Sequence, residues 1–324
     1  MLPVLVNISR AGEAPFPALL HRERALALAH WRDTQLRHAH AMAALLREWP
    51  LYAEALRHVC ADPATTGIIE RHGVAIAGYQ LHAPAAPGQV YCTIGNYQAQ
   101  LLQAALDAGD GPDGPQAAAR QAAAAAAIAT RRREGTPYIC MKGSACVAGP
   151  HDELQVPDDL TTLDWEVEIG VVIGRTAWRV APDAALDHVA GYCVVNDVTL
   201  RAKVFRADPQ ILGTDWLQSK ARPGWLPTGP WLAPAWNIAD PGTLELSLRL
   251  NGELMQSGHA GDMVFDIAEQ ISYLSQHTRL EPGDLLCTGS PAGFGSHYGR
   301  YLRAGDLVEA GVSGLGVQRV RCVP

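Results

Sequence analysis

The sequence has no run of about 18 apolar residues of the kind that crosses a bilayer. The nearest approach, residues 117 to 129, is Ala-rich, only weakly hydrophobic and interrupted by Arg120 and Gln121, so no membrane contact is expected. No C-x-x-C pair occurs among Cys60, Cys92, Cys140, Cys146, Cys193, Cys287 and Cys322. An odd set of scattered thiols argues against a disulfide framework or a structural zinc site and for a reducing, cytoplasmic setting. A basic excess is also missing: 26 Lys and Arg stand against 33 Asp and Glu, a net charge of −7. Binding many phosphates requires a basic face, so a nucleic-acid partner is not expected. The start, "MLPVLVNISRAGEAPF", lacks the charged opening and long apolar stretch of a signal peptide. Repeats and long charged or Ser-rich tracts are absent. What remains is an ordinary globular composition, 48% apolar and 18% charged over 324 residues. That is enough chain for a large core, in two domains or in one with an extension.

Residues 15 to 60 are rich in Ala, Leu and Arg, with few Gly and no β-branched runs, which predicts helix, broken or kinked at Pro50. "GVAIAGYQL" (73 to 81) reads as a strand and "HAPAAPG" (82 to 88) as a linker. These place a mainly helical N-terminal domain at 1–84 and a larger domain at 85–324. Within the latter, "QVYCTIG" (89 to 95) reads as a strand, followed by a helix over about 97 to 107 and a turn-rich loop, "DAGDGPDGP" (107 to 115). The next helix is bracketed by Pro115 and Gly135. Its last turn holds Arg131, Arg132 and Arg133, where the helix dipole favours cations; anion steering is the alternative. From residue 138 onward short strands dominate, including a hairpin turning at Asn251-Gly252 and one amphipathic helix over 264 to 277. The pattern predicts an α+β or mainly β domain behind a helical extension.

In "DWEVEIGVVIG" (164 to 174), Asp164, Glu166 and Glu168 alternate with Trp165, Val167 and Ile169. Residues two apart on a strand share a face, with Cβ atoms roughly 7 Å apart. Close carboxylates need either a raised pKa on one of them or a cation between them. A hard divalent ion with oxygen ligands would satisfy both glutamates; a solvated polar face is the alternative. Asp197, ending the apolar strand in "AGYCVVNDVTLR" (190 to 201), is a candidate third ligand next to the cation Arg201, and Asn196-Asp197 opening a turn is the plainer reading.

These segments together resemble the fumarylacetoacetate hydrolase family. The resemblance is carried in order by "GNY" (95 to 97), "KGSACVAGPHDEL" (142 to 154), "LDWEVEIGVVIGR" (163 to 175), "AGYCVVNDVTLR", "LNGELMQSG" (250 to 258), "YLSQHTRLEPGDLLCTGSPAGFG" (273 to 295) and "LRAGDLVEAGVSGLG" (302 to 316). It implies a mixed β-sandwich roll holding one Mg²⁺, Mn²⁺ or Ca²⁺ on Glu166, Glu168 and Asp197, with Asp164 either beside that set or on the surface. It implies a homodimer and a small-molecule substrate, a 2-oxo acid or 1,3-dicarbonyl compound, processed through a metal-stabilised enolate. Arg201 would hold a substrate carboxylate or oxyanion, Lys220 would stabilise enolate charge, and Thr288 in its Gly-rich turn would receive a carboxylate.

Departures from the family pattern matter as much. Where its hydrolases carry a His and then a Glu on a lid, this chain has Gln100 and Gln103, which cannot take a proton at neutral pH. Pro223 replaces an expected Asp, Ala202 and Val204 replace an expected Asp and Gln, and about three extra residues lie between Arg201 and Lys220. His151 and His259 are candidate stand-in bases, and the lid is expected over about 97–136. The expectation is C–C bond hydrolysis; the alternatives are a hydratase or dehydratase, isomerase or decarboxylase of a 2-oxo acid, or an impaired relative that only binds one.

Overall fold

Two strands buried at every position, Val167–Ile173 and Val189–Asn196, form the centre of the molecule. Their near-continuous Val and Ile content matches burial on both faces. They pair antiparallel from Val167 opposite Asn196 to Ile173 opposite Val189, with a register shift after Val172. This computed structural model describes residues 2–33, 35–108, 114–206, 211 and 213–324. Around the central pair a six-stranded sheet runs in the order Ala233–Pro234, Val189–Asn196, Val167–Ile173, Leu285–Cys287, Val90–Thr93, Ile139–Lys142. Leu285–Cys287 and Val90–Thr93 run parallel, so the sheet is mixed.

A second sheet of five strands is built on the hairpin Glu245–Leu250 and Glu253–His259 and on Leu307–Val312 and Gly316–Val323. The hairpin turns at Asn251 and Gly252, both at positive φ (54° and 85°), as the Asn-Gly signal predicts. Glu245–Leu250 alternates exposed and buried, and its inner Leu246, Leu248 and Leu250 pack in one cluster with Val167, Ile169 and Val171. The fold is the expected mixed helix-and-sheet sandwich.

The other face of the central sheet is covered by the N-terminal segment, and there the helical expectation fails. Residues 16 to 27 are strands, not helix: Phe16–His21 and Arg24–Ala27 join Val4–Ser9, Val74–Ala75 and Gln80–His82 in a five-stranded antiparallel sheet. Leu19 and Leu20 are both buried, so the period-2 signal is lost, and pairing with Val4–Ser9 overrides the helix propensity of Ala, Leu and Arg. Helices occupy Met42–Arg47, Trp49–Ala61 and Ala64–His72. Pro50 sits in the first turn of the second of these, where a missing N–H costs nothing, so it opens a helix and does not kink one. Trp49 presses on the central sheet at Gly174, where a Cβ would lie 2.5 Å from the indole. Buried residues from both sides of position 84 share one cluster, Leu5, Leu19 and Leu45 with Val172, Cys193 and Val195.

The helices Gln98–Asp107 and Ala117–Glu134 pack against each other. The tip of the turn-rich loop between them, 109 to 113, lies outside the described residues. Arg131 donates to the Gly95 carbonyl at 2.5 Å and Arg132 pairs with Glu269 at 2.6 Å, so two of the three arginines fasten this helical pair to the body. Gly135 is required by close approach: a Cβ there would meet the Arg131 carbonyl at 2.6 Å. Among the described residues no helix is long and apolar enough to cross a membrane.

Candidate active site

The dipeptide Asn196-Asp197 builds the site from the backbone upward. Asn196 Oδ1 accepts the Glu166 amide at 2.9 Å, and the Asp197 amide donates to the Glu166 carbonyl at 2.9 Å. The end of one central strand thereby fixes the start of the other, and Glu166, Glu168 and Asp197 converge. One carboxylate oxygen from each lies within 4.8 Å of the others, and all three residues are buried.

Three cations surround this set. Lys220 Nζ lies 2.5 Å from Asp197 Oδ2, 2.7 Å from Thr199 Oγ1 and 3.3 Å from Glu166 Oε2. Lys142 Nζ lies 2.7 Å from Asp197 Oδ1 and donates to the carbonyls of Val198 and Trp225. Arg201 reaches Asp164 with Nε at 2.8 Å and Glu166 with Nη1 at 2.7 Å, its guanidinium lying 4.2 Å from the Phe294 ring centroid. Burial alone would raise the Asp197 carboxyl, but Lys142 and Lys220 outweigh it and hold it below the usual carboxylate range. Burial would likewise lower Lys220, but Asp197 and Glu166 hold its ammonium well above the ordinary value.

Glu168 differs. Its Oε2 accepts the Gly289 amide at 2.8 Å, while its Oε1 is buried with no hydrogen-bond partner. Burial, reinforced by Asp197 and Glu166, pushes its carboxyl well above the ordinary value. Gly289 stands at φ +93°, and a Cβ there would lie 2.8 Å from Asn96, so only glycine brings this amide to the glutamate. Two donors of the site are orphaned as well: Arg201 Nη2 and Asn196 Nδ2 are buried without a partner.

A cavity of about 210 Å³ opens onto this floor, lined there by Glu166, Arg201 and Lys220 and on its sides by Thr93, Gln100 and Ser290 among others. Gln103 is not in its lining; its Oε1 accepts the Gly293 amide at 2.7 Å and ties the helix Gln98–Asp107 to the Gly-rich loop. Thr288 is fully buried, donates to the Ile169 carbonyl at 3.1 Å and does not line the cavity, whereas Ser290 does. His151 and His259 are also away from it: both are exposed, the first near the Arg319 carbonyl and the second accepting the Gly261 amide. Asp164 is wholly buried, accepting from the Trp165 and Gly295 amides as well as from Arg201. Lys142 is a site residue that sequence reasoning missed.

The family model described as "Fumarylacetoacetate (FAA) hydrolase C-terminal" matches residues 89–323. The chain belongs to this family. A curated relative, 2,4-didehydro-3-deoxy-L-rhamnonate hydrolase of Sphingomonas sp. (strain SKA58), is 42% identical over 186 residues, 56% of this chain and 64% of that protein. The chain thus spans less than two thirds of the curated relatives it matches. Among solved structures, a probable 2-hydroxyhepta-2,4-diene-1,7-dioate isomerase from Mycobacterium abscessus superimposes with a TM-score of 0.69 at 28% identity, over 99% of this chain and 98% of that one. The maleylpyruvate hydrolase of Sphingobium sp. SYK-6, solved with manganese(II) ion and pyruvate, does so at 0.69 and 21% identity, over 99% and 98%. That last likeness shows the fold. Hydrolases and isomerases both occur among these relatives of the fumarylacetoacetate hydrolase family.

Proposed function

We propose that the chain is a divalent-metal-dependent enzyme acting on a 2-oxo acid or 1,3-dicarbonyl compound, with C–C bond hydrolysis as its reaction. The observation that carries this is the convergence of Glu166, Glu168 and Asp197 on one another, with Glu168 Oε1 buried and unpartnered, next to a cavity whose floor Glu166 shares with Arg201 and Lys220. An all-carboxylate set suits a hard cation such as Mg²⁺ or Mn²⁺, and a buried anionic oxygen without a donor is costly unless a cation meets it. Glu166, Glu168 and Asp197 would hold the ion, whose contribution when bound is to polarise a chelated 2-oxo acid as a Lewis acid.

The protein's own groups do the rest. Arg201, held by Asp164 and Glu166 and stacked on Phe294, offers its unpartnered Nη2 to a substrate carboxylate. Lys220, kept charged by its neighbours, neutralises negative charge developing on a substrate oxygen at the cavity floor. Gln100 positions a water or a carbonyl from the cavity side but takes no proton. A homodimer is part of this reading by family resemblance.

A second reading, an isomerase, decarboxylase or hydratase of the same substrate class, is favoured by one observation. No histidine lines the cavity among the described residues, and the lid positions hold Gln100 and Gln103. The deciding experiment incubates the protein with acylpyruvates and 2-oxo acids, with Mn²⁺ or EDTA, and identifies products by mass, using Glu168→Gln as control. Metal-dependent release of pyruvate and a carboxylic acid supports hydrolysis; gain or loss of water or CO₂ supports the second reading. No turnover, with metal-dependent binding that Glu168→Gln removes, leaves a binding protein.

A further inference from the structure

Above its charged floor the cavity changes character. Tyr138 and Trp216 meet edge to face, ring centroids 6.1 Å apart, and Trp216 Nε1 donates to the Tyr138 hydroxyl at 3.1 Å. Phe205 lines the same space yet is 74% exposed. It is carried on a backbone loop closed by a bridge between Phe205 and Thr214 and by the Asp215 amide on the Val204 carbonyl at 2.8 Å. Among the described residues, the only charged side chains lining the cavity are Glu166, Arg201 and Lys220, all three at the floor, where Glu166 pairs with both cations.

The charge balance points the same way. In the buried network Asp164, Glu166, Glu168 and Asp197 face Lys142, Arg201 and Lys220, which leaves one negative charge when all are ionised. A divalent cation turns that into one positive charge, and a single substrate carboxylate closes it. A second carboxylate at the far end would lie beside three aromatic rings, with no further cation in the described lining to meet it, and would forgo the apolar contact those rings offer.

We infer that the substrate carries one carboxylate only, at its 2-oxo acid end, and that its far end is an uncharged apolar or aromatic group packed against Tyr138, Phe205 and Trp216. The inference rests on the 2-oxo acid reading above. It sets this chain apart from the relative whose name carries a dioate. The cavity's 210 Å³ is below the usual range for drug-sized ligands, so the far end is short.

The test is calorimetric titration of the full-length, Mn²⁺-loaded protein with 2-oxohexanoate and 2-oxoadipate, which differ only in a terminal methyl or carboxylate. Pyruvate is the control. The monoacid should bind at least tenfold tighter. Phe205→Arg, at a position exposed enough to accept it, should narrow that gap at least threefold by giving the diacid a cation. Equal or reversed affinities in the parent protein overturn the inference while pyruvate binding keeps the 2-oxo acid reading, and so does binding of pyruvate alone. Binding of none of the three removes that reading and the inference with it. An unchanged ratio in Phe205→Arg overturns the placing of the far end at Phe205.

Discussion

Glu168→Gln should make the metal-free protein more stable and the metal-loaded protein less so. The glutamate has one oxygen on the Gly289 amide and one with no partner, close to the carboxylates of Glu166 and Asp197. Glutamine keeps an acceptor for Gly289, removes a buried charge and offers an N–H to the neighbouring carboxylates. Relief of an unsatisfied buried polar group is worth about 1–3 kcal/mol. With an unfolding entropy of about 2.1 cal/mol/K per residue over 324 residues, each kcal/mol shifts Tm by roughly 1.5 °C, so the variant should melt about 1.5–4.5 °C higher in EDTA. The effect carries a pH signature. Burial, then Asp197 and Glu166, raise the folded-state pKa of Glu168 above its unfolded value. Its contribution to stability is therefore complete below the unfolded pKa and is lost as pH rises through the folded one, so the gap between variant and parent widens upward in pH. With Mn²⁺ at 100 times its dissociation constant the parent gains about 2.7 kcal/mol, or roughly 4 °C, and the variant gains little. Scanning calorimetry of both proteins, with EDTA and with Mn²⁺, from pH 5 to 8 measures all of this. A variant that melts below the parent in EDTA and keeps the full Mn²⁺ shift would refute the argument, because Glu168 would then be a structural carboxylate.

Other consequences follow from the same network. Lys142→Met, which strips Asp197 of a buried cation, should cost about 3–5 kcal/mol in urea unfolding, and a loss under 1 kcal/mol would mean Lys220 suffices alone. Arg201→Lys replaces a fork that spans Asp164 and Glu166 with a point charge that reaches one of them; KM should rise about tenfold or more, with kcat changing less. Gln103→Ala removes the bond from the lid helix to the Gly293 amide and should speed proteolytic cleavage within 98–134 several-fold, while an unchanged cleavage rate would deny the lid that anchor.

The parts of the structure that could be read from the sequence are those whose signal is local or sits in spaced motifs. Asn251-Gly252 demands positive φ and therefore announces its hairpin, and the Glu-x-Glu spacing announces two carboxylates on one face. Phe16–His21 carries no such signal: buried on both faces, it has no alternation, and its strand identity comes from partners in Val4–Ser9 and Arg24–Ala27.

Lys142 is hidden for a related reason. In Ile139–Lys142 the pattern is inverted, with Met141 56% exposed and Lys142 buried, the reverse of what hydrophobicity predicts. Only the far end of that burial explains it, namely the Asp197 carboxylate and the Val198 and Trp225 carbonyls, each more than 50 residues away. Asp164 is the same case in the opposite sign: the sequence leaves it either beside the glutamates or on the surface, and the fold buries it because Arg201 and the Gly295 amide converge on it, Gly295 being the residue that lets the backbone come so close. A buried charge is legible only together with its counter-charge, and here the counter-charges lie on separate elements. The three predicted ligands could therefore be named from sequence, whereas the cations that keep four carboxylates together in the absence of a metal could not all be, since that balance is a property of the assembled sheet ends.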